Sequence, residues 1–409
     1  MLRKRPSILS LLFFAMAASS IFGQNQEGIS PAPKINARSA VLIDATTGTL
    51  LYAKNPDLLL PPASLTKLMT LHIVYEEIQA GRLSLDELVT IHPDDCSPKV
   101  PYGSSIMYLH PGMKVSVRDL MLGAAVVSGN DAAYSLARRI SGSNEAFALR
   151  MNESAAALGF DKLHFVDPSG LSEFNLVTAR QFASFCKTYL ELHPGSIAEL
   201  HSVKSMEFPR AEHEAPGFVP NGTIVQYNRN PLIFRYEGAD GLKTGYIIEV
   251  GFNMAATAKR GRSRFIVVTL GGTGSSYSGG GSQRTKDVTS LLDWAFENFV
   301  TASLDPGVLP SPRAWYGNTR RVELKPARAN AVTVPRSRES SLRIESQAPR
   351  SVKAPVAAGQ SLGVIRYYQG EKIVASIDLV AVEAVGKGTI FRRIWDGIGR
   401  FFALVFGKL

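Results

Sequence analysis

Hydrophobic and polar positions change their period several times along this chain, and each change marks a new part. Residues 39–44 and 49–53 form two short apolar runs separated by Ala45-Thr46-Thr47-Gly48, a pattern that predicts two strands and a glycine turn, a hairpin. From Pro61 to about Ser184 apolar side chains recur three and four residues apart, as over 65–80 and 117–127, which is the helical period. Strand-like runs return at 241–248, 251–258 and 264–270, with a turn at 259–262, and a last helix is predicted over 283–299. Strands, a helical block, strands and a helix fold most simply as one antiparallel sheet with helices packed against it, an α+β arrangement.

Pro306, Pro310 and Pro312 then mark a boundary near 301–312, followed by short β-type runs at 321–324, 331–334, 341–344, 360–368 and 372–382. These predict a small all-β domain. After a break at Gly386-Lys387-Gly388, Ile390, Phe391, Ile394, Trp395, Ile398, Phe401, Phe402 and Val405 fall on one helical arc, with Arg392, Arg393, Asp396 and Arg400 on the other. The longest fully apolar run of this tail, 401–406, is far too short to span a bilayer. An amphipathic helix lying in the face of a membrane through residues 390–409 is the expectation, against a helix packed on the β domain.

At the other end, Arg3, Lys4 and Arg5 precede an apolar stretch over 8–18 and small residues at Ala18, Ser19, Ser20 and Gly23. That is the pattern of a secretory signal peptide, with cleavage after Ser20 and after Gly23 both open. The expected organisation is a signal peptide at 1–23, a catalytic domain at 24–306, a β domain at 307–385 and an anchor helix at 386–409.

Charge sharpens this division. The chain has a net charge of +10, but residues 307–409 hold 17 basic and 7 acidic side chains, whereas residues 24–306 hold 25 and 28. In an exported protein, positive charge concentrated at the C-terminal end points to an anionic membrane surface or cell wall. No nucleic-acid motif accompanies it. Two cysteines, Cys96 in a polar loop and Cys186 in an apolar helical stretch, do not make a disulfide framework, and their pairing stays open. Seven scattered histidines without a Cys/His cluster offer no metal site, and no cofactor is expected. The Gly/Ser-rich stretch 271–281 lacks the Lys-Ser/Thr of a phosphate loop and reads as a flexible turn.

The chemistry starts at Ser64-Leu65-Thr66-Lys67, at the head of a helical run. Three residues along a helix bring Lys67 beside Ser64, and the positive end of the helix dipole favours a developing alkoxide there. Taken alone the motif is weak, since Ser64 also fits a helix cap and Ser184-Phe185-Cys186-Lys187 repeats the spacing. Its support is Ser128-Gly129-Asn130 between two helical runs and Lys243-Thr244-Gly245 within a strand, each unique in the chain. The glycine in that strand marks a bulge or a close backbone approach, and an extended peptide would lie against the strand by edge pairing. Together, in this order, they form the set used by penicillin-binding proteins and class A β-lactamases, with Gly129 where those often have Asp.

On these motifs, with Gly103-Ser104-Ser105 and the continuous Asp240-Gly241-Leu242-Lys243-Thr244-Gly245, the chain resembles the low-molecular-mass penicillin-binding proteins. Specifically it is similar to the D-Ala-D-Ala carboxypeptidases with a C-terminal β domain. The resemblance implies a β-lactamase/transpeptidase-like catalytic domain and a peptidoglycan stem peptide ending in D-Ala-D-Ala as substrate, while the export signal and the cationic tail place the expected location in the periplasm, on the outer face of the inner membrane. It also implies β-lactams as covalent inhibitors. In this reading Ser64 is the nucleophile, Lys67 the base and Ser128 the relay to the leaving amine. Asn130 holds the substrate amide, Lys243 and Thr244 bind the terminal carboxylate, and the backbone N–H groups of Ser64 and Tyr246, after Gly245, form the oxyanion hole. Burial and the neighbouring cation Lys243 would both lower the pKa of Lys67. Tyr246 stands where many relatives have His, a departure that bears on deacylation. The rivals are a DD-endopeptidase, a β-lactamase and a non-catalytic wall-binding protein. Glu173-Phe174-Asn175-Leu176 does not reproduce the Glu-x-x-Leu-Asn of class A β-lactamases.

Overall fold

The computed structural model describes residues 28–96 and 103–406, so the expected signal peptide lies outside the described residues. Its centre is a sheet of five strands, β1 (Ser39–Asp44), β2 (Leu50–Lys54), β3 (Ala239–Ile247), β4 (Gly251–Arg260) and β5 (Ser263–Gly272). Their spatial order is β2-β1-β5-β4-β3, with every neighbouring pair antiparallel. Side chains along a strand point alternately to the two faces, and here both faces are covered. Val41, Ile43, Ile266 and Val268 enter the core beneath the helical block, while Ala40, Leu42, Phe265 and Val267 enter a second core on the other side. This double burial explains why β1 and β5 read as continuous apolar runs rather than alternating ones.

The helical block comprises α1 (Lys67–Gln79), α2 (Val117–Leu122), α3 (Asn130–Ser141), α4 (Asn144–Ala157) and α5 (Ala179–Leu192). Polar side chains set the starts of the later helices: the Ser143 hydroxyl accepts from Ala146 N and that of Thr178 from Gln181 N. Cys96, expected in a polar loop, is buried in this core, and both it and Cys186 are free thiols.

On the opposite face lies α6 (Tyr277–Asn298). It begins earlier than predicted, because the second half of the Gly/Ser-rich stretch is its first turn and not a loop. Ser276 caps it by accepting from Gly279 N at 3.1 Å. Gly280 is required there: a β-carbon would come within 1.9 Å of the Phe252 ring on β4. The glycines thus let the helix approach the sheet closely.

A four-stranded antiparallel sheet follows, made of β6 (Leu324–Pro326), β7 (Leu342–Gln347), β8 (Ser361–Gln369) and β9 (Lys372–Ala381) in the order β6-β9-β8-β7. The run predicted at 321–324 is displaced toward the C-terminus, forming strand only from Leu324. Ile365, Tyr367, Ile377 and Leu379 fill the core of this unit, which Val300 and Ala302 also enter. Strand Phe299–Ala302 pairs with Val332–Pro335, and the buried Asp44 carboxylate accepts from the hydroxyls of Thr301 (2.5 Å) and Thr333 (2.9 Å). These bonds tie the β unit to the end of β1.

The chain closes with α7 (Ile390–Val405). Asp396 accepts from Tyr316 N at 2.8 Å and Arg392 donates to Asn318 O at 2.8 Å, so the polar side of the helix is fastened to the β unit. Phe391, Ile394, Trp395, Phe401 and Phe402 are left exposed. No helix among the described residues is long and apolar enough to cross a membrane.

Candidate active site

Ser64 lies in a 3-10 turn, Ala63–Thr66, that runs directly into α1. Ala63 has φ of 51°, a left-handed conformation that is costly for a residue with a side chain and recurs at functional sites. Gly170, itself at φ +85°, packs so tightly against this turn that a β-carbon would sit 1.9 Å from Ala63 O. One turn on, Lys67 is completely buried, with its Nζ 3.1 Å from Ser64 Oγ. Lys67 Nζ also donates to Asn130 Oδ1 and to Ser169 O, each at 2.6 Å. Burial pulls the Lys67 amine down to about 7, and the carboxylates of Asp167 and Asp131 oppose that fall. Of the two predicted causes burial is dominant, whereas the charge of Lys243 is not among the causes of the Lys67 shift.

Ser128 ends a π-helical turn, Gly123–Val127, and is itself left-handed with φ of 64°. This kink separates α2 from α3 and aims the next residues, so that Asn130 enters the site as the first residue of α3. The Asn130 N–H donates to Ser105 O at 2.9 Å. Gly129 suits the crowding here, since a β-carbon would meet Asp131 Oδ1 at 2.7 Å and Met107 N at 3.2 Å. Ser64, Lys67 and Asn130 therefore form one hydrogen-bonded group, and Ser128 adjoins it through the chain.

Lys243, Thr244, Gly245 and Tyr246 lie on β3, whose outer edge is unpaired in the sheet. At Gly245 a β-carbon would come 2.9 Å from Pro62 O and 3.1 Å from Ser64 N, so the strand backbone runs directly beside the Ser64 turn. Lys243 is 1% exposed, and its Nζ donates to Thr244 O at 3.1 Å. Burial, with repulsion from Lys67, Arg284 and Arg229, holds its amine well below the usual lysine range. Tyr246 is partly exposed and stacks on Phe252 and, edge-on, on Tyr277.

Arg284, on α6, is a residue that sequence reasoning missed. Its Nη1 donates to Gly245 O and Asn253 O, both at a long 3.5 Å, and its Nε has no partner among the described residues. Burial draws this guanidinium down to about 10. Lys243 and Arg284 thus meet where the strand passes Ser64, with the charge of Arg229 also felt by Lys243, a set of basic groups that suits a carboxylate.

The second Ser-x-x-Lys does nothing of the kind: the Ser184 hydroxyl donates to Arg180 O at 3.1 Å and Lys187 pairs with Glu191 at 2.6 Å. Glu173 is exposed. Among the described residues no group of three His, Cys, Asp or Glu side chains is placed to hold a metal.

The chain is similar to known proteins over nearly its whole length. The family model for D-alanyl-D-alanine carboxypeptidase matches residues 26–274, and that for the C-terminal domain of penicillin-binding protein 5 matches 308–387. The D-alanyl-D-alanine carboxypeptidase DacD of Salmonella typhimurium is 34% identical over 97% of this chain and 98% of its own. The D-alanyl-D-alanine carboxypeptidase DacC of Escherichia coli is 33% identical over 92% and 91%. The crystal structure of penicillin-binding protein 5 from Haemophilus influenzae superposes with a TM-score of 0.73 at 31% identity, covering 88% of this chain and all of that one.

Proposed function

This chain belongs to the D-alanyl-D-alanine carboxypeptidase family, and from that premise we propose how its residues perform the reaction. The enzyme removes the terminal D-Ala from peptidoglycan pentapeptides and is acylated by β-lactams. The observation that carries the residue roles is the surrounding of Lys67 Nζ. A neutral amine has two hydrogens and one lone pair. Two carbonyl-type acceptors at 2.6 Å, Asn130 Oδ1 and Ser169 O, take the hydrogens, which leaves the lone pair for the Ser64 hydroxyl at 3.1 Å. With its amine near 7, Lys67 is ready to act as the base at neutral pH.

Ser64 Oγ, losing its proton to Lys67, attacks the carbonyl between the two D-Ala residues. The backbone N–H groups of Ser64 and Tyr246 receive the developing oxyanion, a role supported by the close passage of Gly245 beside Ser64 N. Ser128 passes a proton to the leaving amine, Asn130 steadies the substrate amide, and D-Ala departs. Lys243 and Thr244, joined by Arg284, hold its carboxylate. Water then cleaves the acyl-enzyme and frees the shortened peptide.

Residues 24–306 form the catalytic domain in this reading, 307–385 the β domain and 386–409 the anchor. The exposed aromatic arc of α7, together with its polar side fastened to the β unit, supports peripheral attachment to the outer face of the inner membrane, with the active site in the periplasm. The test is release of D-Ala from a pentapeptide ending in D-Ala-D-Ala. Release that penicillin abolishes supports the account, and release indifferent to penicillin contradicts it.

A further inference from the structure

Besides its contact with the Ser64 hydroxyl, Lys67 Nζ has two acceptors, Asn130 Oδ1 and Ser169 O, and each is presented by a segment that a carboxylate holds in place. Asp167 Oδ1 accepts from Ser169 N and Gly170 N, both at 2.7 Å, and from the Ser169 hydroxyl at 2.6 Å. Its Oδ2 accepts from Ser172 N at 3.0 Å and Asn175 Nδ2 at 2.6 Å. This wraps the 167–175 loop around one side chain and aims Ser169 O at Lys67. On the other side, buried Asp131 accepts from Met107 N at 2.9 Å, Leu109 N at 3.1 Å and Ala132 N at 2.9 Å. Those bonds lock the start of α3 to residues 107–109 and fix Asn130, whose Oδ1 is the second acceptor. Neither carboxylate bonds to Lys67 itself.

We propose that Asp167 and Asp131 are positioning residues for the base: each orders the backbone that brings one acceptor to Lys67, and each adds negative charge beside it. This rests on the reading of Lys67 as base. The titratable groups facing Lys67 are Asp131 from α3, Asp167 from the 167–175 loop and Lys243 from β3, and Lys243 in turn feels the charges of Arg284 and Arg229. The two carboxylates counter the downward push of burial. Without them the amine would lose its proton at lower pH and be a weaker base; with them it keeps enough proton affinity to pull on the serine hydroxyl. Their tight hydrogen bonding to backbone N–H groups also leaves them poorly placed to take the serine proton themselves.

The sign of the effect follows. Acylation needs neutral Lys67, so its rate rises with pH through the Lys67 pKa, and removing a nearby negative charge lowers that pKa. The experiment is the second-order rate of acylation by fluorescent penicillin from pH 5 to 10, in the full chain and in Asp167→Asn and Asp131→Asn. In each variant the midpoint of the acid limb moves to lower pH by about half a unit or more, whatever happens to the plateau. A plateau that falls while the midpoint stays overturns the proposal, because a purely structural role predicts that result. If either variant does not fold, the other decides. Direct titration of the Lys67 side chain by NMR, with ε-carbon-labelled lysine, reads the same shift independently of turnover. Should the unsubstituted enzyme show no acid limb, the assignment of Lys67 as base falls, and this inference with it. A normal limb that neither variant moves overturns only the inference.

Discussion

Gly245 and Ser64 are in such close contact that a β-carbon on the glycine would lie 3.1 Å from the serine amide nitrogen. The edge of the sheet and the start of α1 therefore meet backbone to backbone, and the gap between them is set by a missing side chain. Gly245→Ala should push the Ser64 turn away from β3. We expect penicillin acylation to fall by about a hundredfold and stability by about 1–3 kcal/mol, the usual cost of overpacking. Stopped-flow labelling and urea unfolding measure the two.

The pH dependence of the unsubstituted enzyme follows from Lys67. Its amine sits at about 7, and only the neutral form accepts a proton. Acylation should rise with pH through neutrality and level off above it. Lys67→Arg substitutes a group that stays charged at every working pH, so the rate should fall by about a thousandfold or more without recovering at high pH. Recovery at high pH would contradict the role given to Lys67.

Arg284 gives a test that separates carboxylate binding from chemistry. Its guanidinium is buried and, among the described residues, its Nε is unpaired beside the strand that carries Lys243. Arg284→Ala should lower kcat/KM for a peptide with a free terminal carboxylate by about a hundredfold, the scale of a lost charge-assisted bond. An ester or thioester substrate lacking that carboxylate should be affected much less, and equal losses on both would remove Arg284 from the carboxylate site.

What the sequence disclosed, and what it withheld, divides along physical lines. Ser64 and Lys67 are legible only in the company of Ser128, Asn130 and Lys243, since their own spacing recurs at Ser184 and Lys187, and Lys243 is legible because its strand has a glycine that a regular strand would not choose. Ser169 was invisible, since its contribution is a backbone carbonyl and any residue has one. Arg284 falls within the helix predicted over 283–299, but nothing in the sequence tells which face of that helix meets the strand carrying Lys243. The packing of Gly280 on Phe252 shows that the helix begins within the Gly/Ser stretch and runs close against the sheet, which brings Arg284 to the site. The same applies to Cys96, whose polar neighbours disguised a buried side chain.

The tail is testable by removal. Asp396 and Arg392 hold α7 to the β unit while Phe391, Trp395 and Phe402 remain exposed. Deleting residues 386–409 should release the protein from membrane fractions and leave its acylation rate within about twofold, because the active site takes no residue from α7. A truncated protein that still sediments with membranes would rule out the anchor.

The central claim is that Ser64 is the residue acylated. Intact-protein mass spectrometry after brief exposure to penicillin, followed by peptide mapping, tests it most directly. The account predicts a single adduct on the peptide containing Ser64, absent from Ser64→Ala and slow to form in Lys67→Arg. An adduct elsewhere, or one that survives Ser64→Ala, would contradict it.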